Sequence, residues 1–210
     1  MPNHTPAPNL LGGRLSIDFV NELGSSSDFS WQQLLHFLLV TRIISSERSS
    51  QLLTLPQYDP QSADALLRKA RRLHSALLDC FHSIVGEDSV TRDWAEPIND
   101  ILRITEGHDE LVEQDRNWRL EFVAAESGLD WLLAAIARSG AELIAEGPGA
   151  SLRVCSNAEC GLFFYDTSRT RRRRWCSMAT CGNRHKVAAF SKRHTSHTGH
   201  TGHTTGRRTH

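Results

Sequence analysis

Apolar residues recur along this chain at two periods. From Ser62 to Val85, Leu66, Ala70, Leu73, Leu77, Phe81 and Ile84 recur three and four apart, which predicts an amphipathic helix. The same period places helices over Trp31–Ile44, behind Ser30 as N-cap, over Asp93–Thr105, and from Ser127 or Asp130 to Glu146. Gly147-Pro148-Gly149 stops the last of these. Alternation is the second period. Leu15, Ile17 and Phe19 alternate with Arg14, Ser16 and Asp18, a strand pattern with one polar face. Trp118, Leu120 and Phe122 alternate with Arg119, Glu121 and Val123, which predicts a strand paired with Glu110–Glu113 across a polar turn at Gln114–Asn117. Ser45–Pro60 is polar, holds two prolines and reads as an irregular connection.

Residues 10–146 thus read as a mostly helical α+β domain with a small sheet, and residues 150–194 as a separate, smaller module. Residues 1–9 read as frayed. The tract 195–210 is His/Thr/Gly-rich with no apolar residue, and reads as a disordered tail. No apolar run approaches membrane-spanning length, and the first ten residues lack the order of a secretory signal. The expected compartment is the cytoplasm.

Charge sharpens the division. Net charge is zero, yet residues 1–150 hold 12 Lys+Arg against 22 Asp+Glu, and residues 151–210 hold 12 against 2. A −10 part followed by a +10 part suggests a module that meets a polyanion. In the long helix, Arg68, Lys69, Arg71 and Arg72 read as a solvated face, His74 and His82 as partly exposed, and Cys80 as a small core residue.

The candidate chemistry lies in the basic part. Cys155 and Cys160 are followed, fifteen residues on, by Cys176 and Cys181, each pair spaced alike. Two such knuckles can bring four thiolates into a tetrahedron, the geometry of a closed structural Zn²⁺ site. An iron–sulfur cluster is the other cofactor open to four cysteines. With every position filled by protein, the ion stabilises the fold and does no chemistry. The fifteen-residue interval has room for a strand through Leu162–Tyr165 and a return strand at Arg173–Trp175. A helix after Cys181 completes a treble-clef-like order. Trp175, Phe163, Phe164 and Tyr165 read as core of this module.

Arg169, Arg171, Arg172, Arg173 and Arg174 precede the second knuckle, and Arg184, Lys186, Lys192 and Arg193 follow it. Gathered round one ion they form a dense positive surface suited to phosphates and base edges. Asp18 and Asn21 either line a ligand pocket or cap a neighbouring turn. Phosphate-loop, zinc-protease and nucleophile-elbow motifs are missing, so no enzyme class is indicated.

Arg173-Arg174-Trp175-Cys176-Ser177-Met178-Ala179-Thr180-Cys181-Gly182-Asn183-Arg184, with Lys186-Val187-Ala188-Ala189-Phe190 beyond it, strongly resembles the CGNR zinc finger of bacterial proteins. Cys155, Cys160 and Phe164-Tyr165-Asp166-Thr167-Ser168-Arg169 match its first half, and His185 stands where Ala is typical. Arg14-Leu15-Ser16-Ile17-Asp18-Phe19-Val20-Asn21 resembles the start of the ABATE domain, with Glu22 where Thr is usual. That domain commonly precedes the finger in proteins described as stress-induced transcription regulators. The resemblance implies zinc on Cys155, Cys160, Cys176 and Cys181, DNA as partner and a role in transcription. It leaves room for a homo-oligomer formed through the N-terminal domain. The rival reading is a non-enzymatic adaptor whose basic module docks an acidic partner or its own acidic domain.

Overall fold

A computed structural model describes residues 10–24, 27–104, 107–114, 117–124 and 128–195. Residues 1–9, turn residues 115 and 116, the Ser127 cap and tail residues 196–210 lie outside the described residues, as do the side chains of Lys192 and Arg193. The chain is α+β and mostly helical. Its helices are α1 (Leu15–Leu23), α2 (Trp31–Val40), α3 (Ser46–Leu53), α4 (Leu55–Tyr58), α5 (Pro60–Gly86), α6 (Arg92–Ile104), α7 (Trp131–Ala145) and α8 (Asn183–Thr195). The strands form two antiparallel hairpins, β1 (Gly107–Gln114) with β2 (Asn117–Ala124), and β3 (Leu152–Val154) with β4 (Phe163–Tyr165).

Local signals set several of these ends. Ser30 and Gln33 form a reciprocal capping box at the start of α2. Asp59 accepts from Ser62 N–H at the start of α5, with Pro60 in its first turn. Beyond α7, Gly147–Gly149 forms a 3-10 turn.

Two expectations need correction. Ser45–Pro60 is not an irregular connection, because Ser45 caps α3 and α4 follows it. Residues 15–23 form a helix, not a strand. The alternation misleads because α1 is buried nearly all round: Ser16 and Asp18 are enclosed together with Ile17, Phe19 and Val20. Ser16 faces Ser139 on α7, whose Oγ accepts from Ser16 N–H at 3.1 Å and donates to Ser16 Oγ at 3.1 Å. At the next position, Gly140 lets α7 close on α5, since a Cβ there would lie 2.3 Å from Leu77 Cδ2. Small side chains at the contact replace the polar face that alternation suggests.

The core joins α1, α2, α5, α6 and α7 through Phe19, Leu34, Leu38, Leu66, Leu77, Phe81, Ile98, Ile136 and Leu143. Cys80 is fully buried there, and burial pushes its thiol up to about 11. His74, expected partly exposed, is also fully buried. Its ring bonds Ser27 Oγ (2.7 Å) and Val20 O (3.2 Å) between the edges of Phe19 and Phe29, and burial lowers its pKa. Of the four basic residues on α5, Lys69 pairs with Asp130, Arg71 with Asp28 and Arg72 with Asp100.

The β3–β4 hairpin is continuous with this core. Leu152 and Phe163 are buried in it, and the Phe163 ring meets the rings of Phe81 (5.7 Å) and His82 (5.1 Å) edge-on. Among the described residues no helix is long and apolar enough to cross a membrane.

Candidate metal centre

The first knuckle sits inside the hairpin. β3 runs directly into Cys155, whose N–H bonds Leu162 O, and Cys160 N–H bonds Asn157 O to close the loop before β4. This corrects the expected topology: β4 pairs with Leu152–Val154, ahead of the cysteines, and not with Arg173–Trp175. The later segment instead makes one backbone bond to the knuckle, from Ser156 N–H to Arg174 O. Cys176 ends that segment. Cys181 lies in a π-helical turn, Met178–Gly182, where the Ser177 side chain accepts from Thr180 N–H, and α8 follows at once.

The four Sγ atoms all lie within 4.8 Å of one another. Cys160 and Cys176 are 3.6 Å apart, and Cys176 and Cys181 3.8 Å. A disulfide needs about 2.05 Å. Four thiolates at about 2.3 Å from one ion lie about 3.8 Å from each other in a tetrahedron. The sulfurs therefore fit one zinc, and are too close together to enclose a multi-iron cluster. Phe164, Trp175 and Leu162 surround them with apolar surface.

Electrostatics favours a cation here. Burial pushes the Cys160 thiol up, and burial with three sulfur neighbours pushes Cys176 up further. Cys181 goes the other way, down to about 7, chiefly because Asn157 Nδ2 donates to its sulfur at 3.6 Å. A divalent ion supplies the positive charge that lets all four ionise. One structural zinc on Cys155, Cys160, Cys176 and Cys181 thus follows from the donor set and its spacing.

The basic residues divide into two kinds. Arg173 is turned inward. Its guanidinium donates to Trp175 O (2.7 Å) and to Cys176 O, and lies over the Phe164 ring. Arg169, Arg171, Arg172, Arg174, Arg184 and Lys186 are exposed, and among the described residues none has a carboxylate partner. Arg174 lies over the ring of Trp175, which is itself buried.

Three residues that shape the site are given no such role by the sequence. Asn157 donates to a ligand sulfur. Asp166, fully buried, accepts from Ser168 N–H and Arg173 N–H and pairs with Arg153 at 3.3 Å. Burial opposes its ionisation, but these bonds outweigh burial and hold its pKa low. It pins both ends of the arginine loop. Tyr165, expected only as core, donates its hydroxyl to Glu146 under the Arg14 guanidinium. The YDTSR run carries Tyr165 and Asp166, so a signal exists there, but their partners lie too far along the chain for it to give them a role.

Asp18 and Asn21 are both engaged within the chain. Asp18 Oδ1 accepts from Gly12 N–H at 2.7 Å, a contact only glycine allows, since a Cβ on Gly12 would lie 2.6 Å from Ile17. Asn21 bonds the Phe163 backbone. A nearby cleft between α1 and α2 is lined by Glu22, Leu23, Gln33, His36 and Phe37, among others, and by neither Asp18 nor Asn21.

Residues 13–147 match the ABATE family, described as "Putative stress-induced transcription regulator". The chain belongs to that family. Residues 151–194 match the CGNR zinc finger, the stretch that holds all four sulfurs. No curated protein matches the chain significantly. In this ABATE protein the two matched parts meet without a free linker. Asn21 of the first part bonds the backbone of Phe163 in the second, Arg14 lies over the Tyr165 ring, and Gly12 O, just ahead of the ABATE match, accepts from Tyr165 N–H.

Proposed function

We propose that this ABATE protein is a cytoplasmic, non-enzymatic transcription regulator whose zinc finger binds duplex DNA. The observation that carries the reading is the contrast in how cations are partnered. In the helical part Arg14, Lys69, Arg71, Arg72 and Arg103 face carboxylates, while among the described residues Arg42, Arg48, Arg68, Arg92 and Arg138, spread over several elements, face none. The six outward cations of the finger have none among the described residues, and zinc and Asp166 hold their backbone in place. An ordered cationic surface left without internal counter-charge is what phosphate binding by counterion release requires. This weighs against the acidic domain serving as the counter-charge for the outward cations of the finger that packs on it. The proposed division into residues 10–146 and 150–194 assigns sensing or self-association to the first part and DNA contact to the second.

The test uses the intact zinc-loaded chain, since Phe163 and Leu152 would be bared in a finger fragment. Fluorescence anisotropy on duplex DNA is expected to show affinity falling steeply with salt. Replacing Arg171 and Arg172 by Ala is expected to flatten that slope by up to about 2, roughly 0.9 for each phosphate no longer neutralised. Salt-insensitive binding, or an unchanged slope in the variant, would favour the adaptor reading instead.

A further inference from the structure

We infer that α8 is a base-reading helix, entering the major groove with Arg184 and Val187 toward base edges while the loop arginines hold phosphates. This rests on the DNA-binding reading and deepens it.

Helix α8 is built unlike the others. Its described side chains from Asn183 to Ala188 are all exposed, with Val187 at 65%. A helix of 13 residues whose first six side chains are all exposed gains little from packing at that end, where a helix by itself is marginal in water. Local chemistry holds this one at its N-terminal end: the turn bearing Cys181, the bond from Asn183 Nδ2 to Ala179 O, and the His185 ring on Trp175 at 4.8 Å. The His185 contact with Trp175 fixes the rotation of the helix about its own axis.

That contact decides which side faces out. With about 100° between successive residues, Asn183, Val187 and Ser191 lie on the side away from His185, and Arg184 stands at the edge of that side, about 60° from Val187. Lys186 flanks this side. A guanidinium beside an aliphatic residue suits base edges, the first for guanine O6 and N7 and the second for a thymine methyl. A helix about 10–12 Å across fits a major groove about 12 Å wide. Charge complementarity selects the partner, because no carboxylate stands on α8 and the adjoining loop adds Arg169, Arg171 and Arg172. Loop and helix meet at the metal, where Cys176 ends one and Cys181 precedes the other with sulfurs 3.8 Å apart. Zinc would thus set the angle between the phosphate-holding loop and the reading helix.

The test is selection of duplexes from a random pool by the full zinc-loaded chain, followed by affinity measurements on the selected and scrambled sequences. The wild type is expected to enrich a short motif containing guanine. Arg184→Lys keeps the charge and loses the bidentate fork, so the salt slope should stay and the preference for that guanine should fall about tenfold or more. Arg171→Ala with Arg172→Ala should weaken all sequences alike and leave the motif unchanged. An identical motif and discrimination in Arg184→Lys would overturn the inference, as would salt-dependent wild-type binding with no motif. Both outcomes leave DNA binding intact. Loss of all DNA binding by the wild type is a different result and removes the underlying reading as well.

Discussion

Asn21 grips Phe163 by both backbone groups: its Nδ2 donates to Phe163 O at 2.8 Å and its Oδ1 accepts from Phe163 N–H at 3.0 Å. The carboxamide acts as a strand one residue long on the open edge of β4, and the Gly12 carbonyl extends that edge to Tyr165. A residue at the end of α1 therefore holds the strand that follows the first zinc knuckle.

Asn21→Ala leaves a donor and an acceptor of Phe163 unpaired, at about 1–3 kcal/mol each. The expected outcome is a lower melting temperature and faster amide exchange at Phe163 and Tyr165. Exchange unchanged at those two positions would show that the grip contributes nothing to holding the hairpin.

Asp18 gives the stability a pH dependence of known sign. Burial, opposed by the Gly12 N–H and reinforced by Glu22, raises its carboxyl from 3.8 to about 6. Between roughly pH 4 and 6 the folded chain keeps a proton that the unfolded chain has released, so this group's contribution falls as pH rises and its cost is complete above 6. Asp18→Asn retains an acceptor for Gly12 and removes that cost. Urea titrations should show the variant equal to wild type near pH 4 and more stable above pH 6, by up to about 3 kcal/mol. Thiolate titrations are common to both proteins and cancel in the difference.

Metal removal and Arg173 are expected to act together. Elemental analysis should find one zinc per chain, and Cys176→Ser or a strong chelator should remove it and lower the melting temperature. Arg173→Ala frees the carbonyls of Trp175 and Cys176, so zinc loss to a chelator should speed up. Arg172→Ala, on the exposed side of the same loop, should leave that rate unchanged. Equal rates in the two variants would contradict the inward role assigned to Arg173.

Gly140→Ala tests the packing of α7. The added methyl meets Leu77 Cδ2 at 2.3 Å, so a loss of about 1–3 kcal/mol is expected in denaturant unfolding. A neutral result would mean that Leu77 can move aside and that the helices are not in close contact there.

The sequence alone determined whatever depends on local spacing. The period of α5, the capping of α2, the stop at Gly147-Pro148-Gly149 and the two equal cysteine intervals are written in neighbouring residues, and the structure carries each of them. Family resemblance rests on the same local runs. Tertiary structure alone decided what α1 is, because an enclosed helix has no polar face and its short alternation mimics a strand. It also decided the pairing of β4 with β3, since a three-residue strand specifies no partner. Likewise it separated Arg173 from its neighbours and joined Asn21 to Phe163, 142 positions apart. Burial and long-range hydrogen bonding assign such roles, and they exist only once distant segments have met.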